Sequence, residues 1–215
     1  PLNNWDTSNV IDMRSMFENA SSFDQSMNSW DVSNVRNMEA MFCDSKKFNQ
    51  LINQWNVSCV TNMKSMFRNT NMYDQSLNQW NINNVENLEM MFKNSIFNQP
   101  LGNWNLVKTL NISQMFSDSS NFNQDLSNWN TSSIINMSGI FKGSIKFNQN
   151  LENWSTSNVV DMSWLFSDAK SFNLPLNNWE VSNVKDFNSI FKGADVFNQP
   201  LDTWNLSLAN NLESM

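Results

Sequence analysis

The sequence predicts an α/β solenoid in which each 25-residue repeat supplies a short strand and a helix of about two turns. The first observation is the spacing of tryptophan, which recurs every 25 residues with one step of 24. The second is that apolar residues alternate near each tryptophan and then recur at helical spacing. The repeat tryptophans are Trp5, Trp30, Trp55, Trp80, Trp104, Trp129, Trp154, Trp179 and Trp204.

We number positions from the repeat tryptophan, so that the residue after it is +1. Apolar residues at −3, 0 and +2 spell Leu-x-x-Trp-x-Val, as at Leu176, Trp179 and Val181. The last three positions of this motif alternate as in a strand with one buried face, and the spacing of the whole motif matches the Leu-x-x-Leu-x-Leu strand of leucine-rich repeats. The sequence therefore predicts a short strand from −3 to +2.

Further along each repeat, apolar residues at +5, +8, +11 and +12 share one face of a helix. Ser and Asn at +3 and +4 are residue types that cap a helix start. Position +14 is always Asn, Asp or Gly, the residues that best tolerate the left-handed conformation at a helix end. These signals predict a helix from about +5 to +13.

Two aromatic files are predicted to join the tryptophans in one continuous core, at +12 (Phe42 and its equivalents) and near +18 (Phe48 and its equivalents). Two polar files hold only Asn or Asp, at +7 and near +19. Amide or carboxylate side chains stacked from repeat to repeat can satisfy backbone N–H groups that a tight bend leaves unpaired. We expect the file that contains Asn123 to form such a ladder.

Composition excludes several function classes. The chain has no His, four scattered Gly and a net charge of −7, which disfavour His-based catalysis, a phosphate-binding loop and nucleic-acid binding respectively. Cys43 and Cys59 occupy non-equivalent positions, so two incidental thiols are the simpler interpretation and a disulfide the alternative. We expect no enzyme activity, no metal site and no cofactor.

The motifs resemble a known family. Phe-Asn-Gln-Pro-Leu-x-x-Trp stands at 97–104 and 197–204, and Asn-Met-x-x-Met-Phe at 37–42 and 62–67. These motifs resemble those of the BspA-like leucine-rich-repeat surface proteins, in particular the 25-residue repeats of mycoplasma-type surface lipoproteins. The resemblance implies a right-handed, leucine-rich-repeat-like coil displayed outside the cell and associated with adhesion.

The repeat extends over residues 1–215 as a single solenoid of about eight and a half repeats. Because the pattern is already established at Pro1 and still continues at Met215, we expect a fragment of a longer chain. We therefore expect a location on the cell surface or in the secreted fraction, with any membrane attachment made through an anchor outside this fragment.

The leading functional hypothesis is a non-catalytic binding or adhesion module whose partner is a protein or glycan on another cell surface. Side chains at +1 and −1 flank the buried tryptophan and should form outward rows on the sheet face. The alternative is a purely structural stalk or coat without a specific ligand. The candidate binding residues are Asp31, Asn56, Asn81, Asn105, Asn130, Ser155 and Glu180 at +1, and Asn103, Asn128 and Asn153 at −1.

Trp164 is the one tryptophan outside the repeat register, at +10, where other repeats carry Ser15, Ala40 or Gly139. It lies beside the apolar stripe of the predicted helix. We expect it to be at least partly exposed and include it among the candidate binding residues, although packing over a neighbouring repeat would also explain it.

Overall fold

The computed structural model describes residues 2–215 as a stack of 25-residue coils, each lying parallel to the next. The regular secondary structure of this part of the chain is one 3-10 helix, Leu2–Asn4, and eight isolated parallel bridges. The bridges join successive +7 residues: Asp12 to Asn37, Asn37 to Asn62, Asn62 to Asn87, Asn87 to Asn111, Asn111 to Asn136, Asn136 to Asp161, Asp161 to Asp186 and Asp186 to Asn211.

The predicted α/β solenoid is wrong, because the described residues contain neither an α-helix nor a strand in any coil. The segment from −3 to +2 begins as a turn, since the N–H of Trp30 donates to the carbonyl of Met27 at 3.0 Å. A second turn follows, in which the Val35 N–H donates to the Val32 carbonyl at 3.0 Å. Backbone bridging occurs instead at +7, beyond the segment expected to be the strand.

A run of overlapping turns occupies the segment predicted to be a helix. The N–H groups of Met41, Cys43 and Ser45 each donate to a carbonyl three residues back, at 3.0–3.2 Å. The alternate N–H groups of Met38, Ala40, Phe42 and Asp44 point to the next coil, at 2.8–3.0 Å from its carbonyls. Half of the backbone N–H groups in this segment thus bond to the next coil. In an α-helix, each of them would donate to the carbonyl four residues earlier in the same coil.

Left-handed residues explain why the turns do not become a helix. Position +14 has positive φ, from 52° at Asn94 to 69° at Gly193, as its residue types predict. Position +10 is also left-handed, at Ala40 (52°), Met90 (57°) and Trp164 (60°) among others. A left-handed residue cannot continue a right-handed helix. Turns of three residues nevertheless keep the apolar side chains at +8, +11 and +12 on one side, which is why their spacing looked helical.

The expected continuous core is confirmed. Every repeat tryptophan from Trp30 to Trp204 is buried, whereas Trp5 in the first coil is half exposed. The two phenylalanine files stack face to face within a coil, with 3.9 Å between the ring centroids of Phe42 and Phe48. They also stack between coils, with 5.7 Å between Phe42 and Phe67. The spacing between coils is within the range of favourable aromatic pairs, and the spacing within a coil is closer than that range.

In the single shortened repeat, a hydrogen bond to a side chain replaces one that other coils make to the backbone. In the other coils that carry phenylalanine in the second file, its N–H donates to the carbonyl three residues back, as Phe48 does to Ser45 at 3.1 Å. In the coil with one residue fewer, the Phe97 N–H donates to the Ser95 hydroxyl at 3.2 Å. The Ser95 side chain therefore satisfies the donor that the deletion would otherwise leave unpaired.

Replacing Ala40 with Gly distinguishes the run of overlapping turns from a helix, because the free energy of unfolding should change in opposite directions in the two cases. In a helix this change costs about 1 kcal/mol, because alanine is the best helix former. At a left-handed position glycine relieves backbone strain, so we expect unchanged or increased stability in denaturant unfolding. Ala169→Gly is the control, since Ala169 is buried without a positive φ and should lose stability. A loss of about 1 kcal/mol for Ala40→Gly would contradict the turn run.

Tyr73 provides a second stability test. Its side chain lies in the second phenylalanine file, and its buried hydroxyl has no hydrogen-bond partner among the described residues. Burial raises the pKa of the phenol well above its usual value. We expect Tyr73→Phe to stabilise the chain by about 1–2 kcal/mol, because a buried unsatisfied hydroxyl is unfavourable. The reverse change at an equivalent position, Phe122→Tyr, should destabilise the chain. If both changes shifted the unfolding free energy in the same direction and by the same amount, the unsatisfied hydroxyl would not be the cause.

Candidate functional site

The two outward rows predicted at +1 and −1 are present on the molecule, although they flank a line of turns rather than a sheet. All ten candidates in these rows are exposed. The tryptophan between them is buried, with 3% of Trp129 exposed. The structure thus places these side chains at the surface, one coil apart, in two parallel files.

The backbone under the rows is positioned by the indole of each repeat tryptophan. Its N–H donates to the carbonyl of the residue at −3 in the preceding coil, as Trp129 does to Leu101 at 2.9 Å. The same bond recurs in every coil from Trp30 to Trp204 at 2.9–3.3 Å. Threonine at +2 adds a bond between coils, because the Thr131 hydroxyl donates to the Ser155 carbonyl at 2.9 Å.

Several +1 side chains also close the turn that follows them. Oδ1 of Asn56 accepts the Ser58 N–H at 3.2 Å and the Ser58 hydroxyl at 2.7 Å. Asp31 accepts the Ser33 N–H at 2.9 Å, and its bonds to Ser33 lower the pKa of this carboxyl. This Asx-turn role was not predicted for the row. It uses the side-chain oxygen of Asn56 and leaves its amide N–H groups without a hydrogen-bond partner among the described residues.

The −1 row has no such role in the fold. Within residues 2–215, the side chains of Asn103, Asn128 and Asn153 make no hydrogen bond. At +1, the Asn105 side chain is likewise without a bond in this range, whereas Oδ1 of Asn130 accepts the Ser132 N–H. These amides are therefore the members of the two rows that the stacking of coils does not require.

The two Asn/Asp files both satisfy backbone donors, in different ways. At +7, Oδ1 accepts the N–H two residues later in its own coil, at 2.8–3.1 Å. In the other file, Oδ1 of Asn123 accepts the N–H of Asn148 in the next coil at 2.9 Å. The Gln149 amide donates to the same oxygen at 3.0 Å. The predicted ladder is confirmed, although its members are only half-buried or exposed.

The expected caps at +3 and +4 serve a different purpose. The Asn34 amide donates to the Ser8 carbonyl of the preceding coil at 2.8 Å, and Asn84, Asn158 and Asn183 repeat this bond. Lys108 replaces this asparagine in one coil, and its ammonium donates to Oδ1 of Asn84 at 2.7 Å. These residues join coils to each other and do not begin helices.

Trp164 is 36% exposed, as expected, and is accompanied by groups that were not predicted. Lys142 Nζ lies 4.7 Å from the centroid of the indole ring and Lys192 Nζ lies 5.8 Å from it. A recess of about 220 Å³ adjoins the ring and is lined by Gln114, Ser138, Gly139, Lys142, Ser163 and Trp164. Gly139 was visible in the sequence as an unusually small +10 residue, but nothing there showed that lysines of neighbouring coils approach Trp164.

The described residues offer few other groups that could form a functional site. Residues 2–215 contain no group of three or more His, Cys, Asp or Glu side chains placed to hold a metal ion. Both cysteines are free, and burial raises the pKa of the Cys43 thiol to about 12, whereas Cys59 is exposed. No helix in the described range is long and apolar enough to cross a bilayer. A larger hollow of about 520 Å³ lies beside Trp5 and Arg14 in the first coil.

Comparison with known proteins identifies the family. The family described as Mycoplasma protein of unknown function, DUF285, matches residues 1–104, 52–141 and 110–215. The chain belongs to this family. The three matches extend across the repeats and agree with a mycoplasma-type repeat protein. Neither a curated protein nor a solved structure matches the chain.

Replacing Trp129 separates the two contributions of the repeat tryptophan. Trp129→Phe keeps a buried aromatic ring but removes the indole N–H and leaves a small cavity, so the Leu101 carbonyl loses its indole donor. We expect a loss of about 1–3 kcal/mol in unfolding free energy, and about 3–5 kcal/mol for Trp129→Ala. Trp164→Phe is the matched control, because its ring is partly exposed. Equal costs for Trp129→Phe and Trp164→Phe would show that the indole bond contributes nothing.

Replacing Asn123 tests the ladder. Asn123→Leu removes the acceptor of two hydrogen bonds and should cost about 1–3 kcal/mol, although leucine is more apolar. Asn123→Asp should be tolerated, because Asp74 fills the same position and accepts the Asn98 N–H at 2.8 Å. Urea unfolding of the two variants measures the difference. If the leucine variant were as stable as the parent chain, the hydrogen bonds of the ladder would not contribute to stability.

Proposed function

We propose that the chain is a non-catalytic, extracellular binding or adhesion module that contacts a protein or glycan on another cell surface through its +1 and −1 rows. The observation that carries this proposal is the −1 row, together with Asn105. Its amides are exposed, regularly spaced and unused by the fold. Amide groups both donate and accept, so they suit a peptide backbone or the hydroxyls of a sugar.

The resemblance to BspA-like surface proteins supports a location on the cell surface or in the secreted fraction. In this proposal any membrane attachment belongs to an anchor outside residues 1–215. The net charge of −7 and the scarcity of cations in both rows argue against nucleic acid as the partner.

One observation favours the alternative, a structural stalk or coat without a specific ligand. Oδ1 of Asn56 and Asn130 closes an Asx turn, so part of the +1 row is explained by folding alone. A stalk predicts that the exposed amides can be replaced freely. The two proposals therefore differ in what the unbonded amides do.

Paired lysine substitutions distinguish them. Asn105→Lys combined with Asn128→Lys changes two exposed amides that hold no turn, so the fold should be retained. We expect binding of the labelled chain to cultured animal cells, followed by flow cytometry, to fall at least about tenfold, because the middle of an interface is desolvated. Asn71→Lys with Ser120→Lys adds the same charge at exposed +16 positions and is the matched control.

Equal binding by the two double variants would contradict a site on these rows. The binding of the parent chain should depend only weakly on salt, because the rows hold few charges. Failure of the parent chain to bind any cell type would favour the stalk.

A further inference from the structure

The recess beside Trp164, which we call the Trp164 shelf, is built from Gln114, Ser138, Gly139, Lys142, Ser163 and Trp164. These residues occupy positions +9, +10 and +13 of three successive coils. The +1 and −1 rows contribute none of them. A function of this shelf would therefore be independent of the function proposed for those rows.

The shelf exists because Gly139 lacks a side chain. A Cβ at this residue would lie 3.2 Å from Cγ of Gln114 and 3.9 Å from Cβ of Trp164. The +10 residues of the preceding and following coils, Gln114 and Trp164, thus form the two walls, and the Gly139 backbone forms the floor. The recess is partly open to solvent, and its volume of about 220 Å³ is smaller than the roughly 300–1,000 Å³ of drug-sized sites, so it fits a ligand of one ring.

The stacking of coils does not require a tryptophan at +10. Trp164 has a φ of 60°, a conformation that is unfavourable for a bulky residue. Ser15, Ser65 and Ser189 occupy the same position and the same conformation in other coils. The large ring is therefore an addition to the fold, and 36% of Trp164 is exposed although two lysine ammonium groups lie over its ring.

Charges of both signs lie near the shelf, and the Asp161 carboxylate accepts the N–H of the lining residue Ser163 at 2.9 Å. Among the described residues, neither Lys142 nor Lys192 forms a salt bridge, and both ammonium groups lie within 5.8 Å of the ring centroid. Asp118 and Asp168 occupy the neighbouring +14 position, where Lys170 lies 3.6 Å from Asp168. Gln114 uses its oxygen to accept from Lys93 at 2.6 Å, which leaves its amide N–H groups for a ligand.

We propose that the Trp164 shelf binds an acidic sugar, such as a uronic acid unit of a glycan. The pyranose lies in the recess with its apolar face against the indole, where it displaces the Lys142 ammonium from the ring, and its carboxylate pairs with that ammonium. The ring hydroxyls accept from the Gln114 amide and bond to Ser163. An aromatic surface, one cation and polar side chains around a one-ring recess together match a ligand with an apolar face, a negative charge and a hydroxyl edge.

The test uses the full chain and methyl β-D-glucuronide as the probe, with methyl β-D-glucoside and sulfate as comparison ligands. Saturation-transfer NMR identifies the bound protons, and calorimetry gives the affinity. We expect saturable binding of the glucuronide, at least about tenfold weaker binding of the neutral glucoside, and weaker binding at higher salt.

Three variants place the site. Trp164→Ser and Gly139→Ser introduce the residue that other coils carry at +10, so the fold should persist, and Lys142→Ser copies Ser167 at +13. We expect each to weaken glucuronide binding about tenfold or more. Lys146→Ser removes a charge at an exposed residue outside the shelf and should leave binding unchanged. Near-ultraviolet circular dichroism confirms that each variant is folded.

Two results would overturn the proposal. One is the absence of glucuronide binding at millimolar concentration to the folded parent chain. The other is equal binding of sulfate and glucuronide that Trp164→Ser does not affect, because it would indicate only attraction of an anion to lysines. Loss of cell binding in the Asn105 and Asn128 double variant with glucuronide binding retained would show that the two sites are separate.

Discussion

The hydrogen bond from each repeat tryptophan after Trp5 to the preceding coil fixes the register of the whole structure. The indole of Trp154, for example, donates to the Leu126 carbonyl at 3.0 Å while its ring stays in the core. Phenylalanine could keep an aromatic ring at this position but could not make this bond, because it has no side-chain donor. Because the donor and the acceptor come from successive coils, a shift of even one residue would break the bond in every repeat.

The other cross-coil bonds depend on that register. Once the coils are aligned, alternate N–H groups of the turn run meet carbonyls of the next coil, as Phe67 meets Met91 at 2.9 Å. The asparagine ladder then aligns as well, with Asn98 accepting the Asn123 N–H at 2.9 Å. Backbone groups that regular strands or helices would satisfy are paired instead by this combination of turns and side chains. The same alignment of coils sets the spacing of the surface rows and of the residues in the Trp164 shelf.

The sequence predicted the repeat, the core files, the left-handed +14 position and the ladder through Asn123, because each leaves a fixed residue type at a fixed spacing. It did not predict the turn run. Serine, alanine, methionine and tryptophan all occur at +10, and none of them signals the positive φ that Ala40 and Met90 adopt. Of the candidate site, the exposure of Trp164 and of both rows was predictable. The approach of Lys142 was not, since it depends on contacts between coils.

Exchange of the tryptophan indole N–H groups with deuterated water tests the central claim most directly. The sequence has ten tryptophans, and each gives one indole signal in a ¹⁵N-resolved NMR spectrum. The account predicts slow exchange for the eight indoles from Trp30 to Trp204 that donate to a preceding coil. It predicts fast exchange for the exposed Trp5 and Trp164. Fast exchange of the mid-stack indoles Trp104 and Trp129 would contradict it.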